Sequence, residues 1–208
     1  MNNQEIEVKM EIVDESQVEK IYKYLKKLND NKSEQVLQHI VMKAIYYDTV
    51  DNFYRDKKIA YRVRQENDCF VATYKEGKID AKGVFHRVEI NKKVDSLEPD
   101  ITVFAMEKEV WENIKISKEK KFIPVVITDF VRECISICSG ESVIELALDR
   151  GFIQGNDKKA PICEVELELK SGKIEDLLSL KDCLKEKFIL SESQISKYKR
   201  GLLLTEKS

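Results

Sequence analysis

The chain has 208 residues, 42% of them hydrophobic and 36% charged. That length suits one large domain or two small ones, and the apolar fraction is enough to build a core. The 36 Lys and Arg nearly cancel the 38 Asp and Glu, leaving a net charge of -2, which argues against a general nucleic-acid binder. The first residues, Met-Asn-Asn-Gln-Glu, hold no apolar leader, and no stretch is long enough to span a bilayer, so the expectation is a soluble, cytoplasmic protein with no membrane partner. Cys69, Cys134, Cys138, Cys163 and Cys183 form no CxxC pair and read as small buried thiols in a reducing cytosol. His39 and His86 are the only histidines, and neither lies near a cysteine pair, which argues against zinc.

The elements follow in order. Residues 5–13 alternate as a strand. Residues 15–28 predict a helix, with Val18, Ile21, Tyr22, Leu25 and Leu28 at helical spacing, and Asn29-Asp30-Asn31 predicts a turn. Strands are predicted over 36–47, 59–65 and 70–75, a loop between Gly77 and Gly83, and a strand over 84–94. Residues 95–120 hold Pro99 and the only tryptophan, Trp111, and read as a helical excursion. Strands resume over 122–137, 142–149 and 162–170, followed by an amphipathic helix over 174–188 and a short one over 193–204. About eight strands joined mostly by short turns predict an α+β, mainly β protein: one domain, 1–208, built as an eight-stranded antiparallel closed barrel with flanking helices.

The regular faces of these strands are ionic. In an extended chain successive side chains alternate, so Glu5, Glu7 and Lys9 share one face and Ile6, Val8 and Met10 the other. Arg62 and Arg64, Glu145 and Asp149, and Glu164, Glu166 and Glu168 repeat the pattern. A sheet with one solvated face also alternates. Such a face would mix Thr, Ser, Gln and Lys, whereas Arg and Glu recur here at i, i+2 on several strands. If the helices cover the apolar faces, the charged faces line a lumen. Charges confined there are costly unless partners arrive. Arginines grip phosphate oxygens, and carboxylates supply hard ligands for magnesium or manganese.

These residues resemble the CYTH superfamily of triphosphate tunnel metalloenzymes, most closely its inorganic triphosphatase branch. The signature Glu-x-Glu-x-Lys stands as Glu5, Glu7 and Lys9. Tyr46-Tyr47-Asp48-Thr49, Arg62-x-Arg64, Lys75, His86-Arg87-Val88-Glu89, Asp129-Phe130-Val131-Arg132, the 144–149 and 163–168 segments and Ser196-Lys197 continue it in order. The resemblance implies an eight-stranded tunnel that takes a triphosphate-containing small molecule with one or two Mg²⁺ or Mn²⁺ ions. It implies that Lys9, Arg62, Arg64, Lys75, Arg87, Arg132 and Lys197 hold phosphate oxygens. It makes Glu164 and Glu166 the main metal ligands, with Glu168, Glu145, Asp149 and Glu89 as helpers. Glu5 and Glu7 are the implied catalytic pair, binding a second metal or orienting the attacking water. Lys197, on the last helix, could close one tunnel mouth. Polyphosphatase relatives often carry a helical domain after the tunnel, and residues 1–208 hold no counterpart of it.

Plainer readings stand beside these. Lys9 could simply pair with Glu5 or Glu7, and Asp149, before Arg150-Gly151, fits a turn as well as a metal ligand. Tyr46 and Tyr47 read as strand packing, and Lys199 and Arg200 as solvated charges. Alternative activities on the scaffold are class IV adenylyl cyclase, thiamine or nucleoside triphosphatase, and a non-catalytic polyphosphate-binding module. A monomer or a homodimer is expected.

Overall fold

The computed structural model describes residues 4–30, 36–79 and 84–206; the side chains of 4, 28–30, 78–79 and 85–87 lie outside the description. Within it the chain runs β1 (Gln4–Ile12), α1 (Ser16–Asp30), β2 (Gln38–Thr49), α2 (Phe53–Asp56), β3 (Ile59–Glu66), β4 (Cys69–Ile79) and β5 (Phe85–Val94). A 3₁₀ turn (Ile101–Phe104) and α3 (Trp111–Ser117) form the predicted excursion. Then come β6 (Phe122–Ser139), β7 (Ser142–Gly155), β8 (Lys158–Ser171), α4 (Ile174–Lys187), β9 (Leu190–Ser193) and α5 (Lys197–Glu206). No described helix is long and apolar enough to cross a membrane.

The described strands form one sheet in the order β5-β4-β3-β2-β6-β7-β8-β1-β9, and each neighbouring pair is antiparallel. β1 also pairs with the far strand: Gln4 to Glu7 lie opposite Val88 to Phe85 of β5. The helices sort the two faces. Outward-pointing Val8 and Met10 of β1, Ile135 of β6, Leu146 of β7 and Val165 and Leu167 of β8 pack beneath Ile21 and Leu25 of α1 and Leu177 and Leu184 of α4. This is the apolar side of the alternation read from the sequence. Leu25 is fully buried, and truncating such a leucine to alanine costs about 2–5 kcal/mol. A second outer cluster joins Tyr61 and Val63 of β3 and Tyr74 of β4 to Tyr54 of α2, Phe104 and Ile114.

Helix α5 differs from the other four. Its Tyr198 and Leu202 pack with Met42, Tyr46, Val126, Phe130, Ile153 and Ile162. Those strand residues share the faces of the ionic side chains, so α5 lies on the inner side of the sheet. Its seat depends on glycine. A Cβ on Gly201 would lie 2.2 Å from a Val126 methyl, and one on Gly155 of β7 would lie 2.3 Å from the Gly201 carbonyl oxygen.

Several local expectations are corrected. Helix α1 continues through Asn29 and Asp30 instead of turning there, and Asn31 lies outside the described residues. β4 runs through Gly77 to Ile79, where a loop was predicted; Gly83 lies outside the description. β7 continues past Asp149 to Gly155, so Asp149 does not begin a turn. β9 makes a ninth strand, pairing with Lys9–Ile12 of β1. Of the five cysteines, expected to be buried, Cys69 and Cys138 are exposed and only Cys134 is fully buried.

Candidate functional site

The inner faces enclose a cavity of about 780 Å³ whose lining includes Glu5, Glu7, Lys9, Arg62, Arg64, Lys75, Glu89, Arg132, Glu145, Glu166, Glu168 and Lys197. Two ionic groups divide it. The first stands on β1, β6, β7 and β8. Strand register brings Arg132 opposite Asp149, Asp149 opposite Glu164, and Glu166 opposite Lys9. Arg132 donates from Nε and Nη2 to the two Asp149 oxygens at 2.8 and 2.7 Å, and Nη2 also meets Glu166. Lys9 Nζ donates to Glu7 at 3.1 Å and contacts Glu166. Lys197 reaches in from α5, donating to Asp149 at 2.7 Å and to Glu166 at 2.8 Å, and also contacts Glu164.

Asp149, Glu164 and Glu166 are all buried, and each offers an oxygen within 4.8 Å of the others. An all-carboxylate set of this kind fits a hard divalent cation. Their electrostatics diverge. Burial alone would raise the Glu166 carboxyl, but Lys197, Lys9 and Arg132 together hold it well below its usual range. At Glu164 burial prevails over the attraction of Lys197, and the carboxyl is pushed up. Lys197 and Lys9 are held above the usual lysine range, because their carboxylates outweigh the cost of burial.

The second group stands on β3, β4 and β5 and the start of β1. Lys75 Nζ lies 2.7 Å from Glu5 and 2.8 Å from Glu89. Arg62 and Arg64 approach the same Glu89 oxygen at 4.0 and 3.7 Å, and Arg64 also meets Glu66. Arg62 Nη1 donates to the Tyr46 hydroxyl at 3.2 Å, while its Nε is buried without a hydrogen-bond partner. Burial, and then the neighbouring Arg62, push the Arg64 guanidinium below its ordinary value. An orphaned buried donor and two crowded guanidinium groups mark a site short of negative charge. Burial, together with Glu7 and Glu89 and against Lys75, raises Glu5 to about 7.

The structure thus gathers most of the expected residues on two facing sets of strands. Glu89 stands among the cations, apart from the Asp149 trio. Glu168 pairs with Lys170 at 2.8 Å, and Glu145 lies 3.6 Å from Lys170 and 4.0 Å from Arg132. Both are more exposed than the trio. Arg87 lies in β5 opposite Glu5 and Gly77, and its side chain is outside the description.

The CYTH domain profile matches residues 3–202. The chain belongs to the CYTH family. It is 31% identical over 206 residues to an inorganic triphosphatase of Haemophilus influenzae, covering 98% of this chain and 56% of that protein. This CYTH chain therefore spans little more than half the length of that curated relative. Two solved structures share the fold. One is a Hippeastrum protein, described as an adenylyl cyclase with a dominant triphosphatase activity; its TM-score is 0.64 at 19% identity, with 93% of each chain covered. The other is the RNA triphosphatase domain of a mimivirus mRNA capping enzyme; its TM-score is 0.52 at 14% identity, covering 89% of this chain and 87% of that one.

Sequence reasoning on this CYTH domain passed over two residues, one lining the cavity and one bound to Glu164. Tyr46, read as packing, accepts from Arg62 and stacks on Tyr198 with ring centroids 5.1 Å apart. Burial would raise its hydroxyl, yet Arg62, Lys75 and Lys197 together bring it below the usual tyrosine value. Pairing β2 with β3 sets Tyr46 opposite Arg62, a signal available once the hairpin register is known. Arg200, read as a solvated charge, donates to Glu164 at 2.6 Å and to the Pro161 carbonyl at 2.6 Å. It follows Lys197 by three residues, the spacing that places two side chains on one helix face.

Proposed function

We propose that residues 1–208 form one closed tunnel domain that hydrolyses inorganic triphosphate to pyrophosphate and phosphate with Mg²⁺ or Mn²⁺. The pairing of β1 with β5 supports closure. The observation that carries the reading is the pair of opposed groups at one cavity: Arg62, Arg64 and Lys75 line one side, and Glu166 lines the other, its carboxylate converging with those of the fully buried Asp149 and Glu164.

Arg62, Arg64 and Lys75 grip phosphate oxygens, and the free Arg62 Nε gains a partner when they do. Arg132, Lys9 and Lys197 neutralise the oxygens nearer the trio, and Arg87 binds a further phosphate oxygen. Asp149, Glu164 and Glu166 would hold the metal, with Glu145 and Glu168 beside them; bound there, it supplies charge neutralisation on the phosphates. Glu7 positions a water, whose oxygen attacks the terminal phosphorus as the bridging P–O bond breaks and pyrophosphate leaves. The water's proton passes to Glu5 or Glu7, and Glu5, held near 7, is suited to accept it at neutral pH.

An inorganic substrate is favoured over an organic triphosphate by the aromatic residues. Tyr46 and Tyr198 stack on each other and are buried, so these two rings are already paired and less able to stack on a base or a thiazolium ring. The test incubates the protein with Mg²⁺ or Mn²⁺ and inorganic triphosphate, ATP or thiamine triphosphate, and measures phosphate, pyrophosphate and cyclic AMP. Inorganic triphosphate is expected to turn over fastest, and Glu7→Gln to slow it about 100-fold with little loss of binding. Cyclic AMP as the main product, or inert inorganic triphosphate, would contradict the reading.

A further inference from the structure

The first lysine of α5, Lys197, lies among three carboxylates that converge closely enough to hold one cation. An ammonium group has three donors. Lys197 donates to Asp149 at 2.7 Å and to Glu166 at 2.8 Å, and forms an ion pair with Glu164. These three residues are the only described group of buried carboxylates whose oxygens converge closely enough for one cation. Lys197 is itself buried, with 6% of its side chain exposed.

Charge reinforces the geometry. Around the trio stand Lys9, Arg132, Lys197 and Arg200, against Glu7, Asp149, Glu164 and Glu166, with Glu145 at 4.0 Å from Arg132 and Glu11 at 3.9 Å from Arg200 further out. A divalent ion entering the trio would meet the Lys197 ammonium at its centre, with Lys9 and Arg132 on Glu166 beside it, an arrangement of buried like charges that is costly without new anions. A triphosphate brings those anions, and its oxygens offer Lys197 a replacement for the carboxylates it gives up. Lys197 can yield without unseating α5, because it is the first residue of the helix and the helix is anchored further along by Gly201 against Val126.

We infer that Lys197 is the resident cation of the Asp149–Glu164–Glu166 trio, that it excludes free divalent metal, and that the ligand the site accepts is a metal–polyphosphate complex. The inference rests on the trio being the metal site of the proposed function. It makes Lys197 a residue with two partners: carboxylates in the empty tunnel and phosphate in the loaded one.

The test is Mn²⁺ binding to the whole chain without phosphate, followed by calorimetry or by the loss of the free-ion paramagnetic resonance signal. Wild type is expected to bind Mn²⁺ only weakly. Lys197→Met and Lys197→Gln, which empty the trio of its ammonium, are expected to bind one Mn²⁺ at least about tenfold more tightly. Lys197→Arg, which keeps the charge, is expected to stay weak. The second neutral variant serves if the first does not fold, and circular dichroism reports which do. Tight one-to-one Mn²⁺ binding by phosphate-free wild type would overturn the inference, as would equal affinities in wild type and Lys197→Gln. Wild type that fails to hydrolyse triphosphate would sink the proposed function and leave the Mn²⁺ comparison readable. Hydrolysis with equal Mn²⁺ affinities would sink this inference alone.

Discussion

The two ionic sides of the cavity use the same residue types to opposite ends. On the β6–β8 side the carboxylates lie deepest: Asp149 has no exposed side chain and Glu164 has 1%, and cations reach in to meet them. On the β3–β5 side Arg62, Arg64 and Lys75 keep 16–17% exposure around Glu89 and Glu5, and Arg62 Nε has no hydrogen-bond partner. One side is deeply buried and leaves a carboxylate oxygen, Glu164 Oε1, without a hydrogen bond; the other is more open and leaves guanidinium nitrogens without one. Charge pairing in an enclosed space therefore does not by itself make a binding surface. What distinguishes the two sides is which sign is left unsatisfied when the cavity is empty.

Matched glutamate-to-glutamine changes on the two sides should break this symmetry in opposite directions. Glu166→Gln leaves Lys9, Arg132 and Lys197 buried with one fewer negative partner. We expect it to destabilise the fold by about 3–5 kcal/mol in thermal or denaturant unfolding and to abolish turnover. A variant as stable as wild type would show that these three cations do not depend on Glu166. Glu5→Gln should act the other way and more weakly. Folding raises Glu5 from an ordinary value of 4.5 to about 7, so the folded protein holds that proton longer than the unfolded chain does. Its contribution to stability therefore falls as pH rises from about 4.5 to about 7. Glutamine removes that penalty, and at pH 8 without ligand the variant is expected to be more stable by about 1–3 kcal/mol, with little difference at pH 4. Parallel stability curves for wild type and Glu5→Gln across that range would contradict the assignment.

Much of this was legible in the chain. Alternation placed Glu5, Glu7 and Lys9 on one face of β1 and sent Val8 and Met10 under α1 and α4, because a strand has a period of two whatever its partners. The predicted strands over 36–47, 59–65, 84–94 and 122–137 all appear, with ends shifted by a few residues. Short elements were not legible. The four residues of β9, Leu190–Ser193, carry too little alternation to register, and the four of α2 too little helical period. Arg200 was missed because its role depends on α5 lying on the inner side of the sheet, and that depends on the close approach of Gly155 and Gly201. Asp149 was ambiguous because Arg150-Gly151 looks like a turn; β7 instead runs on, with Gly151 closely packed beneath Phe130 of β6. No local pattern could separate Glu89 from the Asp149, Glu164 and Glu166 trio, since only the sheet order puts it among the arginines.

The central claim is that a single ligand is shared by both sides. Its most direct test is a crystal structure grown with Mn²⁺ and a non-hydrolysable triphosphate analogue, with the metal located by anomalous scattering. We expect the manganese peak among the carboxylates of Asp149, Glu164 and Glu166, and phosphate oxygens on Arg62, Arg64 and Lys75. Manganese bound away from that trio, or phosphate bound outside the cavity with those arginines untouched, would contradict the account.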